Sequence, residues 1–393
     1  MSSLTWVDFD ESERQRARRI IDLFQETSAR DELGLGPIRD SIADHLFPGT
    51  STVQTRLRYM LFVPWIYREI EEKPGLSPDA LLAEARSRED RLISALEAGG
   101  ETAGVIGRMA KERLQTPPRS IYWSGLGSWG LRQGSMDVRE WLAWLQGAGR
   151  SGQLHGAPDD SGGAEQPRMW RADLPRRPPG LLDRVTFRLT ADEAGYLVDR
   201  ITAAHPQSLL AHLAKRRLHA DCDFVWRHPG LPGFPEQSRF IVGQAKSFSA
   251  AMQGAALLYN LMLAEERENS DWETGYRTQL AKWSRVLNED IPPDWDLRDF
   301  WEAIRHDSHR IREPAKQFVA RWRALAMEHG ENIADSKAAR ELVRSREVQL
   351  KGNSSRFQNT VARDNWGGSS GAGRLDFRWP VARRHIRDVA DAG

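Results

Sequence analysis

The stretch SRFIVGQAKSFSAAMQGAALLYNLMLAEERE, residues 238–268, is the longest helical pattern in the chain. Phe240, Ile241, Phe248, Met252, Leu257, Leu258, Leu261 and Met262 recur at three- and four-residue spacing, as one side of an α-helix requires. Working outward, the same periodicity predicts helices over 272–287, 296–304, 314–327 and 336–350 on one side. On the other it predicts helices over 208–218 and from Thr190, where Thr190-Ala191-Asp192-Glu193 fits a capping box. The first half adds 10–27, 37–46, 78–97, 102–114 and 137–145. Residues 120–131, rich in Gly, Trp and Tyr, read as a packed irregular loop. Alternation suited to short strands is confined to 185–189 and 374–379. The expected fold is mainly α, multi-helical and two-domain, with a small C-terminal module that has room for short strands.

Composition divides the chain. Residues 147–180 are rich in Gly, Ser, Pro and Asp and read as a linker or long loop. That leaves an N-terminal helical domain over 1–146, a C-terminal helical domain over 181–350, and a basic, aromatic and glycine-rich module over 351–393.

The 393 residues carry a formal net charge of +1, so any basic surface has to be local. A single cysteine, Cys222, excludes an internal disulfide framework and any multi-cysteine metal site. Asp221 and Asp223 flank it and oppose a thiolate there. Residues 1–8 lack the basic start and apolar core of a signal peptide. The longest apolar runs, 61–66 and 255–263, are too short to span a bilayer. A cytoplasmic protein without membrane contact is the expectation. Fifteen tryptophans against six tyrosines suit extra core mass, or stacking surfaces for bases.

Two segments carry the candidate chemistry. Ile42, Ala43 and Leu46, a turn at 47–50, then Val53 and Leu57 have helix-turn-helix spacing. Ser51 would cap the second helix, with Gln54 completing a capping box, and Pro64 would kink it further on. Its outer face would present Ser51, Thr52, Gln54, Thr55, Arg56 and Arg58, donors suited to base edges and phosphates. An ordinary core hairpin gives the same pattern. The second segment is the C-terminal module, where Arg374, Arg378, Arg383, Arg384 and Arg387 interleave with Phe377 and Trp379. A solvated basic face around a packed tryptophan is the alternative there. The glycine run 367–373 lacks the Gly-Lys-Ser/Thr of a phosphate loop. Asp221, Asp223 and Lys246 supply the residue types of a metal-dependent nuclease, although such a lysine should leave a strand. His306 and His309 lack the His-Glu-x-x-His pattern of a zinc helix. No metal ligand, cofactor or catalytic residue is assigned.

The block Leu46-Phe47-Pro48-Gly49-Thr50-Ser51-Thr52-Val53-Gln54-Thr55-Arg56 resembles an uncharacterised bacterial family, a domain of unknown function. So do 30–40, 62–67, 254–265 and Leu375-Asp376-Phe377-Arg378-Trp379. The resemblance implies a bacterial protein whose genes neighbour helicases and phospholipase-D-like nucleases in anti-phage defence loci. The family brings no catalytic residues with it. The expected function is therefore a non-catalytic, DNA-associated accessory subunit beside helicase or nuclease partners. A protein–protein scaffold and a divergent nuclease are the alternatives.

Overall fold

A computed structural model describes residues 31–71, 77–150 and 169–393. The helix expected over 10–27 lies outside them. In chain order the α-helices are α1 (Gly36–Leu46), α2 (Tyr59–Glu71), α3 (Pro78–Ala98), α4 (Pro118–Ser128), α5 (Val138–Arg150), α6 (Ala191–Ala204) and α7 (Leu209–Arg216). They continue with α8 (Glu236–Glu266), α9 (Ser270–Asp290), α10 (Leu297–Ala303), α11 (Glu313–His329), α12 (Lys337–Lys351), α13 (Thr360–Asp364) and α14 (Trp379–Ala390). The fold is mainly α. The described residues contain no strand, only an isolated bridge between Arg132 and Trp170. No described helix is long and apolar enough to cross a membrane.

The chain divides into two compact units built from non-consecutive stretches. The first comprises Met1–Leu46 and Cys222–Trp379, the second Phe47–Asp221 and Pro380–Gly393.

The first unit is organised on α8, whose residues from Ser247 to Met252 and from Leu257 to Ala264 are buried without a break. α9 folds back along it. The pairs Glu265–Arg277, Ala250–Trp283 and Lys246–Asp290 run in opposite sense along the two helices, the signature of an antiparallel hairpin. Tryptophans supply much of the packing. The indole N–H of Trp283 donates to Ala250 O at 2.7 Å, that of Trp322 to Ala251 O at 2.8 Å, and that of Trp295 to Gln244 Oε1 at 2.7 Å. Burying an indole this way removes a large apolar surface from water without orphaning its donor. Gly254 is required here, because a Cβ at that position would overlap the Trp283 indole.

Asn260 sits fully buried within the apolar part of α8 because it pairs with the glycine-rich loop. Its Nδ2 donates to Ser370 O at 2.7 Å and its Oδ1 accepts from Ser370 N at 2.8 Å. Arg356 ties the same loop to Glu32 at 2.6 Å and to Tyr259 OH at 2.9 Å. The loop is thus a packed structural element.

The second unit is built around α2, where every residue from Tyr59 to Tyr67 is buried, Pro64 included. Tyr59 and Phe62 meet Phe187 at centroid distances of 5.4 and 6.3 Å, and Tyr67 meets Trp141 and Trp170 at 5.7 and 6.2 Å. Thr190 and Glu193 form the capping box of α6.

Several expectations are corrected. Residues 102–114 are turns and a short 3-10 segment, since Gly104 and Gly107 take φ of +82° and +84°. Residues 120–131 are largely helical, because Pro118 starts α4 at its first turn. Val185, Phe187 and Leu189 do alternate inward, but their segment pairs with no strand. Instead Val185 N donates to Ala95 O and Phe187 N to Glu101 Oε1. Phe377 and Arg378 have φ of +52° and +66°, which no strand accommodates.

Candidate nucleic-acid interface

The loop that follows Leu46 is fixed from several sides. Gly49, at φ +77°, lies under the Trp129 indole, whose N–H donates to Pro48 O at 2.9 Å. Gly125 lets α4 approach the same turn, since its Cβ would run into Gly49 O. Gln54 is buried and donates to Gly49 O at 3.1 Å.

Residues 51–58 are not a helix, which overturns the expected helix-turn-helix geometry. The reason is tertiary competition for backbone groups. Thr55 N donates to Tyr122 OH at 2.9 Å, Tyr122 OH donates to Arg56 O at 2.8 Å, and Leu57 N donates to Asp388 Oδ2 at 2.8 Å. Those groups would otherwise close helical turns. Ser51 caps nothing: its Oγ is buried and makes no hydrogen bond among the described residues. Helix α2 starts only at Tyr59.

The arginines of this loop point inward to partners. Arg56 grips Asp388 with Nε and Nη2, at 2.9 and 2.7 Å from Oδ1, and its guanidinium lies 4.8 Å from the centre of the Phe187 ring. Arg58 is buried, donating to Glu193 Oε1 at 2.7 Å and to Thr186 O at 2.8 Å. Thr55 Oγ1 is spent on Gly104 O at 2.7 Å. Thr52 alone among the six predicted loop residues is exposed.

Helix α14 closes the loop. Val381, Ala382, His385, Ile386, Asp388 and Val389 form its buried face. Arg384 and Arg387 are exposed and Arg383 half-buried on the other face. Arg384 Nη1 donates to Thr55 O at 3.1 Å. Arg383 pairs with Asp221 at 2.7 Å, and Arg387 lies 3.8 Å from the same carboxylate. Arg387 Nε also meets His219 Nε2 at 3.0 Å. Burial and Arg387 hold the pKa of that imidazole below its usual value. Just upstream, Lys215, Arg216 and Arg217 are exposed at the C-terminal end of α7. Exposed cations thus lie on α14 and at the end of α7, and the segment after α7 touches α14 through His219 and Asp221.

His385 faces the opposite way. It is 1% exposed, meets the Trp129 ring at 6.4 Å, and neither ring nitrogen has a partner among the described residues. Burial, then Arg384 and Arg56, push its pKa down to about 3. Burial pushes the Asp388 carboxyl up, against the pull of Arg56 and the Leu57 N–H.

Eight of the ten predicted residues thus fall in one unit and two segments: Ser51, Thr52, Gln54, Thr55, Arg56 and Arg58 on the loop, with Arg383 and Arg384 on the helix that closes it. Arg374 and Arg378 belong to the other unit. Arg374 pairs with Asp290 at 2.5 Å, and Arg378 with Asp44 at 2.5 Å and Asp40 at 3.1 Å. Asp388, Tyr122, Trp129, His385 and His219 escaped the sequence reading. The stripe Val381, Ala382, Ile386 and Val389 was the available signal for α14.

The side chains of the nuclease expectation each meet an oppositely charged partner. Lys246 lies within α8 and pairs with Asp290 at 3.1 Å, Asp221 serves Arg383, and Asp223 lies 3.9 Å from Arg227. Among the described residues no three His, Cys, Asp or Glu side chains are placed to hold a metal ion.

The chain belongs to the family described as "Family of unknown function (DUF6361)", which it matches over residues 1–393. No curated protein and no solved structure matches it.

Proposed function

We propose that the second unit binds DNA through the exposed cations of α14 and the end of α7, without catalysing a reaction. The observation that carries this reading is the placement of Arg383, Arg384 and Arg387 on one face of α14, against the His219–Asp221 segment that follows the exposed Lys215, Arg216 and Arg217. Asp221 serves both Arg383 and Arg387. Guanidinium groups on the solvent face of a helix can neutralise duplex phosphates without reading the sequence. The loop at 51–58 supports the helix and offers Thr52 at its edge, so it is the scaffold of the interface more than its reading head. In this reading the protein is an accessory subunit that tethers helicase or nuclease partners of an anti-phage system to DNA.

The test is fluorescence anisotropy with a labelled duplex over a salt series. An Arg383→Ala/Arg384→Ala/Arg387→Ala variant that keeps the wild-type circular dichroism should bind at least about tenfold more weakly at moderate salt. Its log K against log salt slope should be shallower by about 2–3, near one counterion per lost contact. Equal affinity and equal slope for the two proteins would end the proposal.

A further inference from the structure

The first unit holds a second feature suited to nucleic acid. Phe224 and Trp226, both half-buried, stack with ring centroids 4.7 Å apart and planes 7° from parallel. Phe377 meets the Trp226 ring at 6.3 Å and 65°, and the pair itself has the geometry that nucleobases adopt with one another. Trp226 differs from the core tryptophans. Trp283, Trp295, Trp322 and Trp379 spend their indole N–H groups on protein oxygens, and Trp141, Trp170 and Trp366 bury theirs unpaired, whereas that of Trp226 has no acceptor among the described residues and is not among the buried unpaired atoms.

Cations surround the stack. The Arg374 guanidinium is 5.1 Å from the Trp226 centroid and 5.7 Å from that of Phe224. With the rings 4.7 Å apart, these distances put it on the flank of the stack rather than on its end. Arg227 lies 5.5 Å from Phe224 and its side chain is 61% exposed. Lys246 shares Asp290 with Arg374, and Arg374 Nη2 donates to Lys246 O at 3.2 Å. Three cations thus stand against Asp223 and Asp290. One more positive charge than negative, arranged around stacked rings, complements a phosphate backbone whose bases need a flat partner.

We infer that Trp226 and Phe224 form a stacking platform for the unpaired bases of single-stranded nucleic acid, with Arg227, Arg374 and Lys246 on its backbone. This rests on the reading that the chain binds nucleic acid, and names the unpaired strand as a ligand class. A duplex hides its base faces in its own stack and gains nothing from the platform.

The experiment compares a labelled 20-mer of thymidine with a 20-base-pair duplex, using the full chain. In Phe224→Leu/Trp226→Leu, with folding checked by thermal melting, affinity for the single strand should fall about tenfold or more, since one stacked base contributes that much. Duplex affinity should hold, and Trp226→Phe should restore most of the single-strand affinity. An unchanged single-strand affinity in the folded double variant, or an equal loss on duplex, overturns the platform. Wild-type protein that binds duplex but not the thymidine strand overturns the platform and leaves the proposed function standing. Wild-type protein that binds neither overturns both. Should the double variant fail to fold, photo-crosslinking of wild-type protein to a 5-iododeoxyuridine strand decides the matter. Crosslinks at Trp226 or Phe224 support the platform, and crosslinks only elsewhere overturn it.

Discussion

Asp388 accepts the backbone N–H of Leu57 at 2.8 Å while holding the Arg56 guanidinium, so one carboxylate seals a loop 331 positions earlier in the chain. The side chain of Asp388 is only 3% exposed. Removing its charge leaves a buried guanidinium edge and a buried amide with weaker partners. Asp388→Asn should therefore cost about 2 kcal/mol in urea unfolding, and Asp388→Ala more. An unchanged midpoint for the alanine variant would show that the loop is held by other contacts.

Arg58 invites a different substitution. Its planar fork serves Glu193 and Thr186 O together, a geometry that lysine cannot copy. Arg58→Lys should destabilise the protein by about 1–3 kcal/mol. It should leave DNA affinity unchanged once measured on folded protein, since the side chain is buried. A selective loss of DNA binding in a fully stable Arg58→Lys protein would return this residue to the interface.

His385 ties stability to pH. Its ring is held near a pKa of about 3 in the folded protein, against about 6.5 in the unfolded chain. Between those values the unfolded chain binds the proton and the folded protein does not. The stability present above about pH 6.5 is therefore lost as the pH falls, at up to about 1.4 kcal/mol per unit. His385→Leu removes this loss. Urea midpoints at pH 7.5, 6.0 and 4.5 should fall less steeply for the variant than for wild type, and parallel curves would refute the assignment.

Gly254 and Gly243 lie three turns apart on α8 and should respond oppositely to alanine. A Cβ at Gly254 overlaps Trp283, while nothing lies within 4 Å of one at Gly243. Gly254→Ala should cost about 1–3 kcal/mol through overpacking, and Gly243→Ala should gain up to about 1 kcal/mol from helix propensity. Equal effects in thermal melts would mean that the α8–α9 contact yields easily.

The helices α8 to α12 were legible because their apolar residues repeat with the helical period and their starts carry caps such as Asn269, Asp296 and Ser336. The loop at 51–58 was not. Its apolar spacing and its Ser51–Gln54 capping pattern suggest a helix, and what competes with one is Tyr122 and Asp388, which no local window contains. Helix α14 was hidden for a related reason: its buried face includes His385 and Asp388, and a polar residue facing a core breaks the apolar stripe. At α4 the glycines that suggested a loop are close-approach positions, with Gly125 meeting the backbone of Gly49. The arginines of the candidate site were found by type, but only the fold separates Arg384 and Arg387, which face solvent, from Arg56, Arg58 and Arg378, which hold the protein together.

The interleaving of the two units sets an order of events during synthesis. Residues 47–58 leave the ribosome early, yet the carboxylate that accepts the Leu57 amide is translated more than three hundred codons later. Until then the Leu57 amide and the Arg56 guanidinium lack the carboxylate that holds them. A halt in translation before codon 388 would leave the loop without that partner.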